Sequence, residues 1–428
     1  MILTAVFAIF IVIGVIMFSL LRGGAGRGTE EQITVWGTVS ESSFTKYIEA
    51  VNLNKDTKVS IRYIEKDIDS FDSEFIEALA KGSGPDAILL PQDLILRHKD
   101  KIYPIPYNSI SERSFKDIFV EEGELYLSSN GIIALPLIID PLVMYWNRDI
   151  FTDALLSQPP AYWDEFFSLV NQITRVDGSL NIKRSAISFG EFTNVLNAKE
   201  IVSLLILQAG NAIVSVNKDR PVSVLRDNAG FAIPPSEAAL RFYTEFSNPS
   251  KKSYSWNRSL PISRSYFLSG DLAVYFGFAS EFNDIRMKNP NLNFDAAVIP
   301  QRREAKTKIT FARIQGLALV KSSKKLSSAF NIISSLVSKD NISTWSKTSG
   351  LPPVRRDLLS AGASDPVRSI FYTSAVISKG WLDPDRKETN TIFQNMVESI
   401  VSGKSRLGEA VSQADSEIQN LLSQKTDQ

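Results

Sequence analysis

The chain of 428 residues contains no cysteine and a single histidine, and its charges cancel, with 47 Lys+Arg against 47 Asp+Glu. Without cysteine there can be no disulfide, no thiolate metal site and no thiol nucleophile. The lipid-modified cysteine that anchors many exported bacterial proteins is excluded with them. The one histidine, His98, lies between Arg97 and Lys99. Its setting reads as a solvated helix end or loop, which leaves no histidine for a catalytic triad. A net charge of zero supplies no basic field, so nucleic acid is not an expected partner. No motif points to a metal or nucleotide, and no cofactor is expected. Gly23-Gly24-Ala25-Gly26-Arg27-Gly28 has loose phosphate-loop spacing, but no strand pattern precedes it and no helix pattern follows. It reads as a flexible tether.

What is present is the composition of a folded protein, 44% hydrophobic and 22% charged, in a chain too long for one ordinary core. Residues 1–21 are apolar except for Thr4, Gly14 and Ser19. That run matches the roughly 20 residues needed to cross a bilayer. Phe18-Ser19-Leu20-Leu21 makes a poor cleavage site, so an uncleaved amino-terminal transmembrane anchor is expected over a removable signal peptide. Arg22 and Arg27 follow the run and no Lys or Arg precedes it, a bias that by itself would hold the rest in the cytoplasm. Long domains cross membranes regardless of such bias, and the globular part is expected to be extracytoplasmic.

From Ile33 onward, strand and helix patterns alternate. Ile33, Val35 and Trp36 read as a strand, and Phe44, Tyr47, Ile48 and Val51 as one face of a helix. Val59, Ile61 and Tyr63 alternate as a strand does. Phe71, Phe75, Ile76 and Leu79 form a second helical stripe, with Gly82 placed to end it. Pro85 to Leu90 reads as a third strand. This βαβαβ run predicts a parallel sheet with helices on both faces and a ligand at the carboxyl ends of its strands. Trp36, Gly37 and the turn Leu90-Pro91-Gln92-Asp93 would then sit at the mouth of a cleft. Further along, Trp163, Phe166, Phe167 and Val170 read as a helical core stripe. Gln301 to Lys308 reads as a solvated basic loop, and Thr391 to Gln424 as amphipathic helix ending in a polar tail.

The stretch Gly131–Trp163 is the most informative. It is an apolar run broken by Pro136, Asp140 and Pro141, leading to Tyr145-Trp146-Asn147 and then Pro159-Pro160-Ala161-Tyr162-Trp163-Asp164-Glu165. A lone aspartate in such a run is costly to bury unless it is paired or meets a polar ligand. The stretch resembles the hinge-crossing strand of the extracellular solute-binding proteins of ABC importers, the family that includes maltose-binding protein. Other pieces resemble that family in the same order: Ile33 to Trp36, Gly84-Pro85-Asp86, residues 203–213, Phe267 to Val274, Gly277-Phe278, Ala297 to Pro300, Gly316 to Lys325 and Gly350 to Arg355. Phe267-Leu268-Ser269-Gly270-Asp271 departs mildly from the usual signature.

The resemblance implies an α/β, two-lobed periplasmic-binding-protein fold (type II), hinge-connected, behind the amino-terminal transmembrane helix. Residues 1–22 would be the anchor or signal segment and 23–31 a linker. The first lobe would take 32–138 and 317–360, and the second 139–316 and 361–428. The implied function is capture of a solute, a sugar or oligosaccharide, between the lobes and delivery to the permease subunits of an ABC importer by a monomer without catalytic residues. Sugars stack apolar faces on aromatic rings and present hydroxyls to carboxylates, amides and guanidinium groups. On that basis the expected platforms are Trp36, Phe278 and Trp381, and the expected polar partners Asp93, Asp140, Asn194 and Arg313. A hinge ion pair between Asp140 and Arg313 is the competing use of those two. The alternatives are a tethered ligand sensor, or a glycan-degrading enzyme pairing Asp93 with Asp140 or Glu191.

Overall fold

The computed structural model describes residues 31–51, 59–217, 220–228 and 230–426. The expected membrane anchor and its glycine-rich tether lie outside the described residues. No helix among the described residues is long and apolar enough to cross a membrane.

Ten strands form one mixed sheet: β1 (Glu31–Gly37), β2 (Val59–Glu65), β3 (Ala87–Pro91), β4 (Ile102–Tyr103), β5 (Leu135–Asn147), β6 (Arg175–Val176), β7 (Ile182–Ile187), β8 (Leu272–Phe278), β9 (Phe294–Ala297) and β10 (Ala312–Val320). Their order is β2-β1-β3-β10-β5-β8-β7-β6, with β9 added to β5 and β4 to β10. The expected parallel βαβαβ opening is present: β1 runs parallel to β2 and to β3. β10 then lies antiparallel to β3, and β5 antiparallel to β10.

Two separate hydrophobic cores pack on this sheet. One gathers Ile33, Phe44, Leu89, Leu317, Ile333 and Trp345; the other gathers Trp163, Phe189, Ile206, Trp256, Phe276 and Phe393. Strand β5 carries residues of both cores, and β10 pairs with it at the crossing. Leu135 to Ile139 of β5 belong to the first core and Leu142 to Trp146 to the second. Every residue of β5 is buried except Asp140, which is half-buried at the crossing. Pro136 lacks the N–H that a central strand donates, and the ladder to β10 shifts register there, between Gln315 and Gly316. The shift lets Gly316 lie against the backbone of Leu135 and the ring of Tyr126, where an added Cβ would come within 3.2 Å of the first and 3.1 Å of the second.

Helix ends follow local chemistry. Ser40 caps the helix Glu41–Ala50, its hydroxyl accepting from the Ser43 N–H. The helix Ala198–Ala209 ends on Gly210, whose φ of 103° only glycine adopts readily. Trp163, Phe166 and Val170 are buried as their helical spacing predicts.

Two expectations need correction. His98 is not solvated: it is fully buried, its Nε2 3.1 Å from Asp72 and its ring edge-on to Phe75 at 5.1 Å. The helix there turns its polar side inward because Asp72 offers a half-buried partner from another helix, which flanking charges in the sequence do not reveal. The carboxyl-terminal segment is two helices, Arg386–Val401 and Leu407–Thr426, broken at Gly403 with φ 72°.

Because Gly316 has no room for a side chain at the crossing, Gly316→Ala is expected to cost about 1–3 kcal/mol. Urea unfolding measures this, and an unchanged midpoint would show that the crossing is looser than its geometry.

Candidate functional site

Where β5 and β10 cross between the cores, a cavity of about 490 Å³ opens. Asp93, Asp140, Arg313 and Trp381 line it, whereas Trp36, Asn194 and Phe278 do not. Each of the seven is explained by the element that carries it.

Asp140 and Arg313 are cross-strand partners in the β5–β10 ladder, yet they bond elsewhere. Ser280 donates to Asp140 from its backbone N–H at 2.9 Å and its hydroxyl at 2.6 Å. Burial pushes the Asp140 carboxyl up to about 6, against these hydrogen bonds and the attraction of Arg313. Arg313 turns to Glu200, donating at 2.6 Å, and its guanidinium lies 3.9 Å over the ring of Phe278. Burial alone would raise Glu200; Arg313 and Lys199 beside it bring it down to about 2. The charge on Arg313 is thus held in place from below by an aromatic face and from one side by a carboxylate. Phe278, 1% exposed, is the platform for that arginine.

Asp93 stands in the short 3-10 turn Gln92–Leu94 that follows β3. Burial and the nearby Asp383 raise its carboxyl, while Arg386, Lys199 and Arg313 act to lower it. Its nearest cationic atom is Nε of Arg386, at 3.8 Å. That distance is beyond a hydrogen bond, and no hydrogen-bond donor among the described residues reaches Asp93. It is a carboxylate facing a cavity with its acceptors open.

Trp381 is 4% exposed and stacks on Phe393, ring centres 6.0 Å apart, so it presents an edge of the second core to the cavity. Asn194 is fully occupied within the second core. Its amide donates to the carbonyls of Asn257 and Leu260, and its oxygen accepts from Trp256. Trp36 lies buried under the ammonium of Lys66, 4.1 Å from the ring centre.

The cavity also gathers residues that the sequence reading did not single out. Lys199 and Asp383 form a buried ion pair at 2.7 Å, closed by Thr389, whose hydroxyl donates to Asp383. Lys199 and Glu200 open the helix Ala198–Ala209 behind Asn197, a residue in the left-handed region with φ 62°. Such backbone in a non-glycine residue is held only by its surroundings, here by bonds from its side chain toward Phe276 and Glu281. Gln92 accepts from the Ile314 N–H at 2.9 Å, and Trp345 closes another wall. The sequence signal for Lys199 and Glu200 was their place in a first helical turn. For Gln92 it was only adjacency to Asp93.

Behind Gln92 and Gly380 sits Glu122, 2% exposed, with burial pushing its carboxyl up to about 8. Glu191, considered as half of a catalytic pair, does not line the cavity; it is buried beside Arg258 at 3.2 Å. Among the described residues no cluster of His, Cys, Asp or Glu could hold a metal ion.

Two α/β cores joined by crossing strands, with a charged cavity between them, define a periplasmic-binding-protein fold. A family model for bacterial extracellular solute-binding proteins matches residues 48–368, and the chain belongs to that family, whose members bind solutes rather than transform them. A binding protein of Brucella abortus (strain 2308) is 23% identical over 266 residues, 59% of this chain and 58% of that protein. The maltodextrin-binding protein MdxE of Bacillus subtilis (strain 168) is 26% identical over 158 residues, 34% of each chain. The matched region therefore spans less than two thirds of either curated relative. In structure the chain is similar to a cyclo/maltodextrin-binding protein solved with maltotetraose, with a TM-score of 0.73, 17% identity, and 92% and 98% of the two chains covered. It is also similar to the cyclic α-maltosyl-1,6-maltose binding protein of Arthrobacter globiformis, with a TM-score of 0.74, 15% identity, and 92% and 99% covered.

The raised carboxyls set a pH dependence. A group whose folded pKa lies above its unfolded one stabilises the fold below the unfolded value and loses that contribution as pH rises through the folded value. For Asp140 the window ends at about 6, and for Glu122 at about 8. Unfolding free energy is expected to fall as pH rises to about 8, and Glu122→Gln to flatten the part of that fall above about 6. Denaturant titrations across this range measure both. A wild-type profile that rises toward pH 9 would show that Glu122 is solvated.

Proposed function

We propose that this protein captures an oligosaccharide in the cavity between its two cores and delivers it to the permease subunits of an ABC importer. The observation that carries this reading is Asp93, a half-buried carboxylate that faces the cavity and accepts no hydrogen bond from the described residues. An ionised carboxylate is an acceptor only, and sugar hydroxyls are donors of the right kind for it. Trp381 offers an apolar edge on the wall from the second core, while Asp140 and Arg313 mark the floor where the strands cross. These four are the solute contacts. Phe278 and Asn194 act one step removed, the first by supporting Arg313 and the second by fixing the loop around Trp256; Trp36 braces the first core under Lys66.

The solved relatives give the ligand class its support. They are described with maltotetraose, with mannobiose and as a binder of a cyclic maltose dimer. We assign the lobes as residues 32–138 with 317–360 and 139–316 with 361–428, although Ile139, Ala312, Ile314 and Ala375 pack in the first core. The apolar run at residues 1–21 would tether the protein to the membrane, with the globular part outside the cell. A tethered sensor would use the same cavity, and a partner other than a permease would distinguish it.

Calorimetric titration with maltotetraose and mannobiose tests the reading. Binding of at least one is expected, and Asp93→Asn is expected to weaken it by about 10- to 100-fold, the worth of a hydrogen bond to a charged group. Trp381→Ala should weaken it further. Absence of heat from a folded protein across both sugars and longer linear oligosaccharides would sink the assignment.

A further inference from the structure

The helix Arg386–Val401 belongs to the second core, through Ile392, Phe393, Met396 and Val397. Its first residues do not stay there. Three consecutive side chains at its start reach groups carried by the first half of the molecule. Asp385 lies 3.3 Å from Nη1 of Arg97, Arg386 lies 3.8 Å from Asp93, and Lys387 lies 3.8 Å from the Asp69 carboxylate. Lys387 also donates to the Asp69 backbone carbonyl at 3.3 Å. All six residues line the cavity.

Both sides of this seam are fixed in position. On the helix side, Asp385 is the amino-terminal cap, accepting from the N–H groups of Lys387 and Glu388, and its own N–H is held by Asp383. On the other side, Arg97 makes a two-pronged contact with Asp72 at 2.6 Å through each prong, and buried His98 touches the same carboxylate. The helix start carries positive partial charge from its unpaired N–H groups. Arg386 and Lys387 add to it, facing Asp93 and Asp69.

We propose that Asp385, Arg386 and Lys387 form an ionic latch across the mouth of the cavity, holding the two lobes together whether or not solute is present. The inference rests on the two-lobed binding reading, because only separable lobes need a latch. Each pair is partly exposed and individually weak, worth about two- to fivefold in a closing equilibrium; three in a row make closure sensitive to salt. The single histidine has a positioning role here, since it steadies Asp72 and through it Arg97.

The absence of cysteine makes the test direct. In the full chain, spin labels at Lys46→Cys on the helix Glu41–Ala50 and at Lys404→Cys beyond the helix Arg386–Val401 report the separation of the lobes; both positions are exposed. Distance distributions are recorded without solute at about 0.1 M and about 1 M salt, where the screening length falls from about 10 Å to about 3 Å. The latch predicts one short distance at low salt, with a longer component at high salt and in Lys387→Glu. The double variant Asp69→Lys/Lys387→Glu is expected to restore the short distance. Asp69 and Lys387 are exposed enough, at 77% and 70% of their side-chain surface, that neither change should disturb folding. Identical distributions in all variants at both salts overturn the latch, as does a double variant as open as the single one. The measurement needs no sugar, so a failed oligosaccharide titration and a failed latch are told apart.

Discussion

The pairing of β5 with β10 is the constraint on which the rest of the molecule depends. β5 runs through the sheet from one core to the other, and its ladder with β10 places Arg313 opposite Asp140 at the crossing. Every group on the cavity floor hangs from that register. A slip of one residue would turn Asp140 and Arg313 to the other face of the sheet. The shift between Gln315 and Gly316 answers the missing N–H of Pro136 and pins the register in place.

Around that floor the protein keeps charge in a buried setting by two different routes. The first is pairing: Glu200 with Arg313, Lys199 with Asp383. Such pairs offset the cost of leaving water only when their remaining polar atoms are also satisfied, and Thr389 and Phe278 serve that purpose here. The second is neutralisation. Glu122 has no cation close enough to hold its charge, and burial favours its proton instead. Asp93 follows neither route completely: Arg386 lies 3.8 Å away, beyond a hydrogen bond, and burial raises its carboxyl.

Much of the fold was legible in the sequence because local periodicity and long-range partners agreed. Gly84-Pro85-Asp86 and Ser322 to Lys325, both recognised as pieces of a family pattern, meet in space. Asp86 accepts from the Thr34 N–H and from the Ser323 hydroxyl, and Lys325 lies 3.7 Å away. The helical stripe from Phe71 and the stop at Gly82, which has φ 68°, were readable for the same reason: the turn chemistry and the apolar spacing name the same boundary. The cavity was less legible. Asp93, Asp140 and Arg313 could be singled out as polar residues at strand ends and crossings. Arg386 and Lys387 could not, because their partners are close to 300 residues away in the chain and nothing local distinguishes them from a solvated helix start. His98 misled for a related reason: its neighbours in sequence are charged, while its neighbours in space are Asp72 and Phe75.

The same two strands also fix when folding can finish. The first core draws on Ile33 to Ile139 and then on Ala312 to Ala375, with much of the second core, from Leu142 to Phe311, spliced between. Leu90 finds its ladder partner in Gly316, and Tyr126 donates to the carbonyls of Leu90 and Ile314. No amount of local helix or strand formation in the first 140 residues completes that core. A chain emerging from a ribosome or a translocation channel must therefore wait for β10 before its amino-terminal half can close, and contacts of such long sequence separation make that step slow. For an extracellular protein the delay is useful, because it keeps the chain threadable until the residues through Val320 have been made.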